Sequence, residues 1–178
     1  MEELYEYLSS KTPIPEKSIV ITFDDGYEDN YLNAYPILKR YGFKGTVFVV
    51  GNYIDHSGYL STQQIKEMIS SGWNIEGHTS NHVDLATVDD QTLAKELRES
   101  KEKLESIGGK PIHYFAYPFG VYNGKIVGAA KDAGYKMAFT TERGWAKLDQ
   151  DIMLLSRVYC YAQMGLDEFT RRITNPAY

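Results

Sequence analysis

The chain has 178 residues, 43% of them hydrophobic, enough for a single domain with a substantial core. A formal net charge of −5 argues against nucleic acid as a partner and gives no attraction to anionic wall polymers. No apolar run approaches the roughly 18 residues that a membrane-crossing helix needs, so no transmembrane segment is expected. The opening Met1-Glu2-Glu3-Leu4 is acidic where a secretion signal would be basic, and no signal peptide is read there.

Strand and helix signals alternate from there on. The β-branched run 19–23 reads as a strand, and 29–41 as a helix that Pro36 can kink. Residues 46–50 give a second strand. A helix over 62–71 follows, with Ser61 and Gln64 at capping-box spacing and Gly72 at its end. A third strand, 73–76, leads into two histidines. The strongest helical pattern is 90–107, where Leu93, Leu97 and Leu104 recur at helical spacing with charges elsewhere, and Gly108-Gly109 stops it. Strands are expected near 112–116, 136–140 and 154–159, with helices at 124–133 and 167–173. Cys160 stands alone, can form no internal disulfide, and reads as a core residue. Alternating βα units point to a parallel sheet or barrel, and residues 1–178 read as one domain without repeat or linker.

Two stretches carry chemistry. In Thr22-Phe23-Asp24-Asp25-Gly26-Tyr27 a strand ends in adjacent carboxylates. Inside a strand these would face opposite ways, but at its end Gly26 permits a turn that lets both converge. Two anions so close call for a metal, a shifted pKa or both; a solvated Asp-Gly turn is the plainer alternative. In His78-Thr79-Ser80-Asn81-His82 the i, i+4 spacing would place both imidazoles on one face of a helical turn, as a chelate needs. Metalloproteases with this spacing carry Glu directly after the first His; Thr79 stands there instead, so that reading falls. Two neutral imidazoles and one carboxylate would leave positions on Zn²⁺ open for water and substrate, although surface His pairs at this spacing are often inert.

These two motifs, together with Phe115-Ala116-Tyr117-Pro118-Phe119-Gly120, resemble the polysaccharide deacetylases, carbohydrate esterase family 4 or NodB-homology domain. The order and spacing match over about residues 2–169. The resemblance implies a distorted (β/α)7 barrel, of which the six strands read here suggest an incomplete N-terminal side. It implies Asp24 as general base and Asp25, His78 and His82 as ligands of a divalent metal, usually zinc, with Co²⁺ or Ni²⁺ as alternatives. The backbone N–H of Phe119 would be an oxyanion donor. Tyr27, Tyr117, Pro118, Tyr122 and Trp145 lie near the motifs as candidate substrate contacts, Trp145 as part of an acetyl pocket. The implied substrate is a polysaccharide carrying N-acetylglucosamine, and the implied location is extracellular or at the cell surface.

Two departures from the family pattern matter. Ala116 stands where the third motif usually has an Arg that pairs with the catalytic Asp. A subgroup that includes poly-N-acetylglucosamine deacetylases shares Phe-Ala-Tyr-Pro, and Arg157 is the candidate replacement, because an Arg in an apolar run needs a partner. The family's C-terminal general-acid histidine has no match either, since no His follows His113. A missing upstream segment is the expected reason; His56 is a poor substitute. Rival readings are a non-catalytic glycan-binding module on the same barrel and a deacetylase of small amides or esters. Peptidoglycan, chitin oligomers and O-acetylated xylan stay open as substrates. The sequence sets no oligomeric state.

Overall fold

The computed structural model describes residues 1–178. Six strands, β1 (Ile21–Phe23), β2 (Gly45–Val49), β3 (Asn74–Gly77), β4 (Tyr114–Ala116), β5 (Met137–Arg143) and β6 (Leu155–Arg157), pair in chain order in one parallel sheet. The intervening helices are α2 (Tyr35–Arg40), α3 (Thr62–Ser70), α4 (Asp90–Gly108) and α5 (Gly124–Asp132); α1 (Glu2–Ser10) precedes the sheet and α6 (Leu166–Thr174) follows it. This is the α/β architecture expected, a curled half-barrel consistent with an incomplete distorted (β/α) barrel.

Strand residues alternate between two apolar layers, as the pleat requires. Val47, Val49, Ile75 and Phe115 face outward, against Ile65 and Met68 of α3 and Leu93, Leu97 and Leu104 of α4. Phe48, Tyr114, Ala116, Met137, Phe139 and Leu155 face inward and form the barrel's interior. Burial on both faces is why the strands read as near-continuous apolar runs. Helix α1, which the sequence reading did not anticipate, lays Leu4, Tyr5 and Leu8 against the inner cluster, and the Tyr114 hydroxyl donates to the Glu2 carboxylate.

The sheet is uneven. β2 and β3 share four residue pairs, whereas β3 and β4 meet only at Gly77 and Phe115. Where that ladder lapses, the Glu76 side chain accepts hydrogen bonds from the amides of His113 (3.2 Å) and Tyr114 (2.9 Å). Burial pushes the Glu76 carboxyl up to about 8, against these two bonds. No backbone pairing joins β1 to β6, so the sheet has an open seam.

Several local expectations need correction. The helix over 29–41 is a π-helical turn, Asn30–Ala34, running into α2. Pro36 sits in the first turn of α2, just past the change of winding. β5 runs on to Arg143, and β6 stops at Arg157 rather than 159. Cys160 is exposed just beyond β6, because the chain has left the sheet's interior by then. The expected capping box on α3 is formed, with Gln64 N–H donating to Ser61 Oγ (3.2 Å) and Ser61 N–H to Gln64 Oε1 (2.8 Å).

Candidate metal centre

The carboxylates and imidazoles lie at the C-terminal ends of β1 and β3, where βα loops form the active face of such sheets. Past β1 the chain reverses through two left-handed residues, Asp25 (φ 71°) and Gly26 (φ 79°). The reversal sends the two acidic side chains to different partners: Asp24 to the seam, Asp25 to the histidines.

Asp25 Oδ1 lies 3.4 Å from His78 Nε2 and 3.2 Å from His82 Nε2. Ligand atoms about 2.0–2.1 Å from a tetrahedral zinc stand about 3.3 Å apart, so the spacing fits one divalent cation held by three protein ligands with a position left open. His78 is buried, and its Nδ1 lies 2.6 Å from the carbonyl oxygen of Ala116. That carbonyl fixes the proton on Nδ1 and leaves the Nε2 lone pair facing Asp25, the usual orientation of a ligating imidazole. A backbone carbonyl does this whatever the side chain, so Ala116 is no obstacle. Burial, then the neighbouring His78, holds the His82 pKa below its ordinary value despite the opposing charges of Asp25 and Asp24, favouring the neutral imidazole that a metal requires.

The histidines are not on a helical turn. They flank a loop in which Thr79 (φ 65°) and His82 (φ 53°) are both left-handed, and Thr79 Oγ1 accepts the His82 N–H at 3.0 Å. A β-branched residue in that region is an outlier worth on the order of 1–3 kcal/mol of strain, which persists only where the surroundings impose it. Here the surroundings include Glu96 of α4. Its Oε2 accepts the amides of Ser80 (2.9 Å) and Asn81 (2.8 Å), and its Oε1 the Asn81 side-chain amide (2.6 Å). The sequence reading placed the charges of α4 away from its apolar stripe, yet Glu96 lies on the buried face between Leu93 and Leu97. A carboxylate on that stripe was the signal that could have found it.

At the seam, Arg157 of β6 donates from Nη1 and Nη2 to the two carboxylate oxygens of Asp24, both at 2.7 Å. Its Nη1 also reaches Thr22 Oγ1 (3.3 Å), and its Nε reaches the Thr140 carbonyl (3.2 Å). The guanidinium lies 5.7 Å from the Phe48 ring centroid and 6.0 Å from that of Phe139. Burial alone would raise the Asp24 pKa; the hydrogen bonds and charge of Arg157, helped by His78 and His82, outweigh it and hold the carboxyl below its ordinary value. Asp24 is therefore an ionised acceptor beside the cation site.

The remaining predicted residues divide. Phe119 is left-handed (φ 58°) and exposed, its ring set edgewise on His82 with centroids 4.5 Å apart. Gly120 follows at φ 71°, where a Cβ would strike Thr141. Tyr27 is exposed and stacks on Tyr59 at 5.2 Å, and Tyr53 packs on Tyr59 at 4.8 Å. Tyr117 and Pro118 are buried, which corrects their reading as contact side chains. The Tyr117 ring is packed between Phe115 and Tyr122 because its register directs it into the outer core. The Tyr122 hydroxyl donates to Glu142 (2.7 Å). Trp145 donates from Nε1 to the Arg172 carbonyl (2.8 Å) and so ties its loop to α6. Neither His56 nor His113 joins the cluster: His56 is in an exposed turn, and His113 faces Lys136.

The sequence pattern of the polysaccharide deacetylase family matches residues 11–138. YxkH of Bacillus subtilis (strain 168), named as a candidate polysaccharide deacetylase, is 43% identical over 80% of this chain and 51% of its own. The poly-β-1,6-N-acetyl-D-glucosamine N-deacetylase of Staphylococcus aureus is 32% identical over 76% of this chain and 52% of its own. Among solved structures, the Streptococcus pyogenes deacetylase PplD in complex with acetate superposes with a TM-score of 0.93 at 31% identity, covering 97% of this chain and 77% of that one. The chain thus spans about half the length of the curated relatives it matches. It belongs to the polysaccharide deacetylase family.

Proposed function

We propose that this member of the polysaccharide deacetylase family hydrolyses N-acetyl groups of N-acetylglucosamine units in a polysaccharide, releasing acetate, with poly-β-1,6-N-acetylglucosamine as the leading substrate. The observation that carries the reading is an ionised Asp24 beside three ligand atoms spaced for one divalent cation. The named activity of the staphylococcal relative supports the substrate class, and the acetate bound to the streptococcal deacetylase agrees with the product.

Asp25, His78 and His82 would hold zinc, or Co²⁺ or Ni²⁺ in its place. A cation there supplies Lewis acidity to the acetyl carbonyl and lowers the pKa of water. Asp24 takes the proton of the attacking water at a carboxylate oxygen that Arg157 keeps ionised and aimed. That proton passes to the departing glucosamine nitrogen as the C–N bond breaks, leaving acetate and the free amine. The Phe119 N–H donates to the developing oxyanion, a contribution of about 3–4 kcal/mol where such donors have been removed elsewhere. The Phe119 ring walls one side of His82, and Tyr27 and Tyr59 offer an aromatic edge on which a neighbouring sugar ring can rest. Action on such a polymer would place the protein outside the cell or on its surface.

Acetate release from N-acetylglucosamine oligomers is the test. Chelation by EDTA should abolish it, and Zn²⁺ or Co²⁺ should restore it. Full activity in metal-stripped protein, or no acetate from any acetylated glycan, would overturn the reading.

A further inference from the structure

We infer that Glu96 is a positioning residue of the metal centre, holding the loop between the two histidines in its ligating shape. This rests on the reading of Asp25, His78 and His82 as metal ligands, but not on the substrate.

Loop 78–82 cannot hold its form by local preference, since Thr79 and His82 occupy a backbone region that L side chains avoid. It is gripped from two sides. Gly51 and Asn52, just past β2, donate their amides to the carbonyls of Thr79 and Ser80, both at 2.9 Å. From the other side one carboxylate takes the Ser80 and Asn81 amides and the Asn81 side chain. Those three donors are all the hydrogen-bond partners of the Glu96 side chain, and no Lys or Arg neutralises it. A buried carboxylate without a cation is costly unless its acceptors are filled, and here they are filled only by the segment joining the ligands.

Helix α4 supplies the stiffness. Leu93 and Leu97, one turn or less from Glu96, are buried against the sheet's outer face, so the carboxylate is fixed relative to β3. Releasing the loop would let His82 move relative to His78 and Asp25, and a chelate loses affinity when one arm swings.

The test is Co²⁺ binding to the purified, metal-stripped chain, followed by its visible absorption and without substrate. Glu96→Ala should weaken Co²⁺ binding by about 10- to 100-fold and change the shape of the absorption bands. Glu96→Gln keeps an oxygen for the two backbone amides and should recover most of the affinity. In the unsubstituted protein, the Ser80 and Asn81 amides should be protected from hydrogen exchange, which keeps the inference testable if Glu96→Ala does not fold. Wild-type affinity and spectrum in a folded Glu96→Ala protein, or unprotected Ser80 and Asn81 amides, would overturn it. Because Co²⁺ binding is read directly, a chain that binds the metal normally but deacetylates nothing would count against the proposed function and leave this inference standing.

Discussion

The two halves of the site are built on opposite kinds of support. The metal half sits on the continuous part of the sheet: His78 follows β3, takes its orientation from a carbonyl of β4, and shares a loop clamped by β2 and α4. The half proposed for acid–base work, Asp24 with Arg157, sits on the discontinuity, where β1 and β6 share no backbone hydrogen bond and one guanidinium spans the gap. Many weak restraints hold the first half, and one side chain holds the second. Substitutions in the first half should therefore register in metal binding, and those in the second in the ionisation of Asp24.

The sharpest break in the metal half is His78→Ala. Removing a ligand whose other nitrogen is already committed to Ala116 should eliminate both Co²⁺ binding and acetate release; a variant that still bound Co²⁺ with native affinity would deny His78 its role. Asp24→Asn should divide the halves cleanly, keeping the metal while turnover falls by about 10²- to 10⁴-fold. Metal titration and rate on the same sample check this, and native turnover would remove Asp24 as the base.

Arg157→Met probes the seam more gently. In the intact site Arg157 overcomes the upward push of burial and keeps the Asp24 pKa low, so the proposed base stays ionised into acid. Without it burial acts unopposed by that charge, and the acidic limb of the kcat/KM profile should move to higher pH, with Co²⁺ affinity changed little. An unmoved limb would show that Arg157 does not set the ionisation of Asp24.

The smallest effect is expected at α6, which supplies no residue to either half. Arg171 and Arg172 hold the Glu168 carboxyl down at about 2 through hydrogen bonds. A depressed carboxylate stabilises the fold above its unfolded pKa and loses that contribution as pH falls toward the folded value. Thermal melts of the parent should therefore show a slight extra loss between about pH 4.5 and 2 that Glu168→Gln lacks, small because Glu168 and Arg171 are partly exposed to solvent. Activity at neutral pH should be the same in both.

The sequence alone determined the order of βα units, because apolar strand runs and amphipathic helices are local patterns, and it exposed the chemistry-bearing residues at the ends of two strands. It could also nominate Arg157, since a guanidinium in an apolar run demands a partner. It misjudged the histidine loop, where i, i+4 spacing suggested a helical turn: the left-handed Thr79 is imposed by contacts from β2 and α4 that are distant in sequence. Glu96 was hidden for the same reason, looking like one more charge on a long charged helix until packing put it on the inner face. Tyr117 was judged by its neighbourhood, but strand register turned it into the core. Composition and periodicity record what each segment prefers by itself; which carboxylate meets which amide, and which arginine crosses an unpaired seam, is decided only when the sheet curls and brings the ends of β1, β3 and β6 together.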